Sequence, residues 1–259
     1  MDIVFIVAVV FVVLVVVFFR GAGRRNAANY IVPADTAALL AAHVAFYNAL
    51  DDEGKRMFEE RVRGFLDNVA IRGIEVDVTD VDRVLVAAGA IIPIFSFPAW
   101  RYNNISEVLL YKDTFNKQYE TQGKQRNVLG MVGDGAMHRI MILSQPSLRS
   151  SFQRATDGQN TVIHEFVHLI DKADGAIDGV PEVFLSKPYI LPWFREMREE
   201  MAIIRRKRGM SDIDPYAATS DAEFFAVMAE YFFERPADLE KRHPDLFELL
   251  ERIFGPKVS

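Results

Sequence analysis

The hydrophobic pattern of the chain begins with an unbroken apolar run from Ile3 to Phe19. Its seventeen residues are at the lower limit for crossing a bilayer as one helix. The positive charges follow the run, at Arg20, Arg24 and Arg25, whereas a secretory signal peptide carries them in front. By the positive-inside rule, this pattern predicts a single-pass membrane anchor with the remainder of the chain in the cytoplasm. The alternative is a buried core element of a soluble protein.

Beyond residue 25, most apolar positions recur with the helical period. The pattern, with caps at Asp35 or Thr36, Asp51 and Ser220, predicts helices over residues 36–50, 52–69, 81–92, 161–172, 193–208, 221–233 and 244–254. Strands are predicted at residues 74–78, 107–111 and 138–143. Residues 113–135 are predicted as a surface loop, and residues 181–192 as irregular structure.

The order of these elements predicts the domain organisation. No internal repeat or linker divides the chain after the apolar run. The simplest interpretation is an anchor with a basic flank, residues 1–25, followed by one α+β domain, residues 26–259. In that domain a small sheet packs against helices.

The composition narrows the chemistry that the chain can perform. Half of the 259 residues are hydrophobic and a quarter are charged, as in a globular protein, and the formal charge of −6 argues against a general nucleic-acid binder. Because the chain has no cysteine, a bound metal must be held by histidine, aspartate or glutamate. The five histidines are at positions 43, 138, 164, 168 and 243.

One short segment, His164-Glu165-Phe166-Val167-His168, is the HExxH motif. Side chains four residues apart share one helix face, so both imidazoles can bind one Zn²⁺ while Glu165 faces a water on that metal. Zinc lowers the pKa of such a water, and Glu165 can take its proton as general base and pass it to the leaving amine. The motif predicts hydrolysis of peptide bonds with one zinc ion per chain. A pair of hydrogen-bonded core histidines is the structural alternative.

A catalytic zinc ion needs a third protein ligand. The extended motif HExxHxxGxxH is excluded, because Asp171 and Asp174 stand where it has its glycine and last histidine. A glutamate on a later helix is the other common solution, and residues 220–234 offer Glu223, Glu230 and Glu234. Glu223, in the first turn, is the favoured ligand. Glu230 lies on nearly the same face two turns later, and is either the ligand instead or a support for one.

Three further features fit supporting roles, each with an ordinary structural alternative. Asp171 shares a helix face with the two histidines and is a candidate to orient an imidazole. Tyr216, just before the glutamate-bearing helix, is a candidate to donate its hydroxyl to the oxyanion of the reaction. The strand at 138–143 is a candidate edge strand that aligns a peptide substrate, with His138 at its rim.

The densest charge cluster is Arg205–Arg208, at the end of a predicted helix. Cations are favourable at a helix C-terminus because they complement the dipole. A solvated helix end is therefore the first interpretation. Contact with anionic lipid headgroups is the second.

Five blocks of the sequence carry a resemblance to a known family. They are VLLY at 108–111, MILS at 141–144, NTVIHEFVHLID at 160–171, the following DG and GVP, and DPYAATSDAEFFAVMAEYFFERP at 214–236. In these blocks the chain resembles the Mlc titration factor A family of zinc metallopeptidases, which belongs to the gluzincin-like zincins. The resemblance extends from about residue 35 to the end of the chain, and the predicted anchor is a departure from the soluble family members.

The resemblance implies a zincin-like fold, with the family's zinc ligands at His164, His168 and Glu223 and its general base at Glu165. The spacing from Tyr216 to Glu223 is similar to that in lethal factor, a related toxin peptidase in which a tyrosine so placed assists catalysis. The implied function is zinc-dependent hydrolysis of a peptide or protein substrate, with an aminopeptidase-like preference as one form. The alternative is a regulatory protein that sequesters a cytoplasmic transcription factor and holds zinc mainly for structure, since the family is named for titrating a sugar-responsive repressor.

Overall fold

The computed structural model describes residues 32–33, 35–113, 130–132, 139–153, 158–207 and 210–255. The α-helices are α1 (Thr36–His43), α2 (Ala45–Asn48), α3 (Asp52–Asn68), α4 (Asp80–Ile91), α5 (Gln145–Gln153), α6 (Thr161–Asp171), α7 (Lys187–Lys207), α8 (Asp221–Glu234), α9 (Pro236–Arg242) and α10 (Pro244–Phe254). The strands are β1 (Ala70–Ile74), β2 (Glu107–Tyr111), β3 (Gly130–Val132) and β4 (Ile140–Ser144). Short 3₁₀ turns lie at Ile92–Ile94, Lys172–Asp174 and Pro215–Ala218. The predicted α+β class is confirmed.

The predicted membrane anchor, residues 3–19, lies outside the described residues and stays a prediction. Within the described ranges, no helix is both long enough and apolar enough to span a bilayer. The predicted domain boundary at residue 25 also lies outside these ranges.

The described strands form one sheet in the order β1-β2-β4-β3. Strands β1, β2 and β4 are parallel, and β3 is antiparallel to β4. Of the two interpretations of residues 138–143, the substrate-aligning edge strand is therefore wrong and the ordinary core strand is confirmed, because β4 lies between β2 and β3. Met141, Ile142 and Leu143 are all buried, which is the pattern of an inner strand covered on both faces. Gly130–Val132, assigned to a loop from the sequence, pairs with β4 as the edge strand.

The first strand also differs from its prediction. The hydrogen-bonded strand is Ala70–Ile74, and the alternation over 74–78 marks no strand. The chain turns sharply after β1, since Glu75 has a φ of 56° and a Cβ on Gly73 would lie 1.9 Å from the carbonyl oxygen of Val76. Glycine permits this close approach of backbone to backbone, which ends the strand early.

The predicted helix starts agree best with the observed ones where a side chain caps the helix. Asp51 accepts a hydrogen bond from the Gly54 N–H at 2.7 Å at the start of α3, and Ser220 accepts one from the Glu223 N–H at 3.2 Å at the start of α8. Such bonds satisfy N–H groups that the helix itself leaves unpaired. The predicted helix over 36–50 is instead broken at Val44, whose φ of −118° and ψ of 100° are extended.

Helix α7 begins at Lys187, inside the segment predicted to be irregular. Pro188 lies in its first turn, where a proline without an N–H costs little, and Pro192 is accommodated inside the helix. The short helices α5 and α9 were not predicted, because neither is long enough to show a clear period.

Helix α6, which carries the HExxH motif, lies between α4 and α8 in the core. Val162 and Phe166 of α6 are fully buried. Helix α4 approaches so closely that a Cβ on Gly89 would lie 2.4 Å from Cγ1 of Val162. On α8, Phe224 and Met228 are fully buried as well. Tight packing on both sides fixes the rotation of α6, and with it the direction in which its polar face points.

Candidate metal centre

Three side chains from α6 and α8 converge on one point. His164 Nε2 is 3.1 Å from His168 Nε2 and 2.9 Å from Glu223 Oε2, and His168 Nε2 is 3.4 Å from the same carboxylate oxygen. A tetrahedral ion with ligand bonds of about 2.0–2.1 Å separates its ligand atoms by roughly 3.3 Å. Two imidazole nitrogens and one carboxylate oxygen at these spacings fit a divalent metal such as zinc. Among the described residues, these three form a group with the ligand types and proximity of a metal site.

Local structure brings each ligand to this point. His164 and His168 occupy successive turns of α6, which starts where the Asn160 side chain accepts a hydrogen bond from the Ile163 N–H. Glu223 is the third residue of α8, a position from which a glutamate commonly reaches back to the N-cap. Here its backbone N–H is bound by the cap, while its carboxylate faces the two histidines.

Glu230 contacts the second ring nitrogen of His164. Its Oε1 is 2.7 Å from Nδ1 of His164, and its Oε2 accepts a short hydrogen bond from the backbone N–H of Asn160. A buried carboxylate on Nδ1 favours the tautomer that keeps the proton there and leaves Nε2 free for a metal. The sequence favours Glu223 as the third ligand, with Glu230 as the alternative. In the structure the two glutamates contact different nitrogens, and the backbone contact of Asn160 was not predicted.

The carboxylates make the centre strongly negative. Although burial alone would raise the pKa of Glu223, hydrogen bonds with His164 and His168 hold it well below its usual range. Burial alone would lower the pKa of His164, but Glu223 and Glu230 raise it to about 10. Such an environment stabilises positive charge, whether a proton or a metal ion.

Glu165 is buried beside the ligands, with 6 % of its surface exposed. Burial raises the pKa of its carboxyl group, the two neighbouring histidines oppose that rise, and Glu223 and Glu230 add to it. A carboxylate whose pKa is moved toward neutrality is suited to accept a proton and release it again.

Tyr216 lies beside the centre, in the 3₁₀ turn before α8. Its ring centroid is 6.1 Å from that of His164, and half of its surface is exposed. Burial of the hydroxyl, the charge of Glu223 and a hydrogen bond to that carboxylate raise the pKa of Tyr216 to about 12. The phenol therefore stays protonated at neutral pH and can act as a hydrogen-bond donor.

Asp171, a candidate to orient an imidazole, contacts the backbone of a loop instead. Its Oδ2 accepts a hydrogen bond from the Gly179 N–H at 3.1 Å, and its buried Oδ1 has no hydrogen-bond partner among the described residues. Gly179 lies in the loop after α6, and helical periodicity in the sequence gives no information about contacts with a loop. Of the remaining histidines, His43 ends α1 on the surface, His243 bonds to Asp212 at 3.2 Å, and position 138 lies outside the described residues.

A sequence profile described as glucose-regulated metallo-peptidase M90 matches residues 19–255. The chain belongs to this family. Within it, the chain is 28% identical over 194 residues to Mlc titration factor A of Pectobacterium atrosepticum, covering 70% of each protein. It is 26% identical over 247 residues to Mlc titration factor A of Cronobacter sakazakii, covering 90% of this chain and 89% of that protein. An uncharacterized protein of Synechocystis sp. is 27% identical over 234 residues, 86% of this chain and 84% of that protein.

Membership of the M90 family confirms the resemblance seen in the sequence. The matched region of this M90 chain includes α6, α8 and the turn that carries Tyr216. It begins at residue 19, so nearly all of the apolar run precedes it.

Proposed function

We propose that the chain is a zinc-dependent metallopeptidase that hydrolyses peptide bonds. The observation that carries this proposal is the convergence of His164, His168 and Glu223, with Glu165 buried beside the first ligand. Zinc fits this set of imidazole and carboxylate donors. When bound, it supplies a Lewis acid that polarises a carbonyl and lowers the pKa of water toward neutrality.

Side chains of the chain itself carry out proton transfer, oxyanion stabilisation and ligand orientation. Glu165 accepts the proton of the attacking water as general base and passes it to the leaving amine as general acid. Tyr216 donates its phenolic proton in a hydrogen bond to the oxyanion that develops on the scissile carbonyl. Glu230 acts through His164, because it keeps the proton on Nδ1 and the ring in a fixed orientation.

Replacing Glu165 with glutamine tests the proposal directly. General acid–base groups contribute roughly 10²–10⁴-fold to rate, so we expect Glu165→Gln to lose at least about that much of its hydrolysis while zinc stays bound. Aminoacyl reporters and internally quenched peptides would be given to the purified full-length chain in lipid nanodiscs, with zinc content measured on the same sample. Glu60→Gln, an exposed change on α3, is the matched control. Full activity in Glu165→Gln would refute the assigned role.

A second candidate function is regulatory binding, which the name Mlc titration factor A of several relatives favours. In this form the chain would sequester a cytoplasmic transcription factor and use zinc mainly for structure. The Glu165→Gln variant separates the two functions, because a binding surface has no need of that carboxylate. Co-purification of a regulator that is equal for parent and variant, with no hydrolysis by either, would favour binding.

We further propose that residues 3–19 anchor the chain in a membrane, with the catalytic domain in the cytoplasm. The length of the apolar run and the arginines after it support this orientation. Carbonate extraction of membranes and protease protection of a C-terminal tag would test it. Release of the full-length chain by carbonate would exclude an integral anchor.

A further inference from the structure

Helix α7 has an apolar exposed end as well as an apolar buried face. Its buried side is formed by Trp193, Met197, Met201 and Ile204. Outside that face Leu191 is 78% exposed, and Phe194, one turn away and stacked against Arg198, is 41% exposed. Neighbouring exposed apolar side chains rimmed by polar residues can form a contact surface for a partner.

The same exposed side is positively charged in a chain whose formal charge is −6. The exposed basic residues of α7 are Lys187, Arg195, Arg198, Arg205, Arg206 and Lys207. Against them, Glu199 is the exposed acidic residue of the helix, Glu196 and Glu200 are partly buried, and Arg198 is paired with Asp221 of α8. The exposed face therefore keeps a net positive charge.

We propose that this face of α7 docks on an anionic phospholipid bilayer. A helix with basic residues flanking exposed apolar side chains is the pattern that binds in the interface plane, because apolar groups enter the headgroup boundary while the cations meet lipid phosphates. Leu191 and Phe194 are the apolar contacts, and Arg195 and Arg206 are the electrostatic ones, because all three other side chains lie within about 60° of Leu191 around a helix with 3.6 residues per turn. Charge complementarity distinguishes this partner from a neutral bilayer.

Docking through α7 would bring the candidate metal centre close to the lipid surface. Arg205 donates two hydrogen bonds to the carbonyl oxygen of Ala218, in the turn that carries Tyr216. Arg198 pairs with Asp221, two residues before Glu223. A bilayer on α7 would therefore lie near the turn that carries Tyr216 and the start of α8, where it would favour substrates held at the membrane.

A single cysteine reports on docking, because the chain has none of its own. Leu191→Cys, labelled with an environment-sensitive fluorophore, would be compared in full-length chain reconstituted in vesicles of phosphatidylcholine alone and with phosphatidylglycerol. We expect a blue-shifted emission that is quenched by lipid-borne quenchers only in anionic vesicles, and that is reduced at high salt. The same label at Met57, exposed on α3, should stay water-like in both.

Reversing the charge at two exposed positions tests the electrostatic part. Each basic residue near an anionic surface contributes about a factor of five, so Arg195→Glu with Arg206→Glu should lower the docked-to-undocked ratio by at least roughly 30-fold. Unchanged zinc content would show that the fold is intact. A water-like emission at position 191 in anionic vesicles, or equal emission in both lipids, would overturn the proposal.

Discussion

Glu223 and Glu230 show how two carboxylates seven residues apart come to contact different atoms of one histidine. Glu223 faces Nε2 of His164, while Glu230 faces Nδ1 and also accepts the Asn160 N–H. The second contact fixes Glu230 to the start of α6. Its carboxylate therefore lies on the Nδ1 side of His164, away from the point where His164, His168 and Glu223 converge.

Replacing Glu230 with glutamine should weaken zinc binding. The amide can accept a hydrogen bond from His164 or the Asn160 N–H through its single oxygen, but its NH₂ group faces the other donor. Loss of such a partner typically costs 10–100-fold in metal affinity, and we expect a decrease of about that size. Competition with a chromogenic chelator measures the affinity, with Glu240→Gln, exposed on α9, as control. Unchanged affinity in Glu230→Gln would show that the contact does not position the ligand.

Tyr216 gives a prediction that separates catalysis from binding. Removing one donor to an oxyanion typically lowers kcat about 10²–10³-fold, so Tyr216→Phe should lose kcat by that order while KM and zinc content change little. Because half of the Tyr216 surface is exposed, removing its hydroxyl group should leave the fold intact. Tyr189→Phe, whose ring keeps its contact with Arg252, serves as control. A kcat equal to that of the parent would remove Tyr216 from the mechanism.

At the scale of elements, the position of the metal centre depends on how closely α4 packs on α6. A Cβ at Gly89 would lie 2.4 Å from Cγ1 and 2.9 Å from Cβ of Val162, two residues before His164. We expect Gly89→Ala to destabilise the chain by about 1–3 kcal/mol and to weaken zinc binding, because α6 must shift.

The control for this change is another helical glycine. A Cβ at Gly64 in α3 meets nothing within 4 Å, so Gly64→Ala should stabilise by about 0.5–1 kcal/mol through helix propensity alone. Urea unfolding of both variants gives the free energies. Equal effects at the two glycines would mean that close packing of α4 does not hold α6.

The helices that could be predicted from the sequence are those whose starts are marked by local signals such as capping residues. Helices α3 and α8 were predicted at their starts because Asp51 and Ser220 cap them within three residues. The position of β4 inside the sheet depends on its pairing with β2, which no local pattern encodes. The HExxH spacing corresponds to about one helix turn, whereas the contacts of Glu223 and Glu230 depend on the packing of α8 on α6, since these residues lie 59 and 66 positions after His164.

At the scale of the whole molecule, a metal held by both α6 and α8 should stabilise the fold as well as complete the centre. A ligand present at 1,000 times its Kd adds about 4.1 kcal/mol to the free energy of unfolding. For a chain of this size each kcal/mol moves Tm by about 2–4 °C, so removing the metal with a chelator should lower Tm by roughly 10 °C.

Two variants show whether that loss of stability comes from the proposed ligands. Glu165→Gln keeps all three ligands, so the chelator should lower its Tm as much as that of the parent. His168→Ala removes a ligand on α6, so its Tm should be lower at the start and change far less on chelation. Thermal unfolding in nanodiscs, followed by circular dichroism, measures all three. If the chelator removed zinc from the parent without lowering its Tm, the metal would not link α6 to α8, and the centre would contribute chemistry without holding the two helices together.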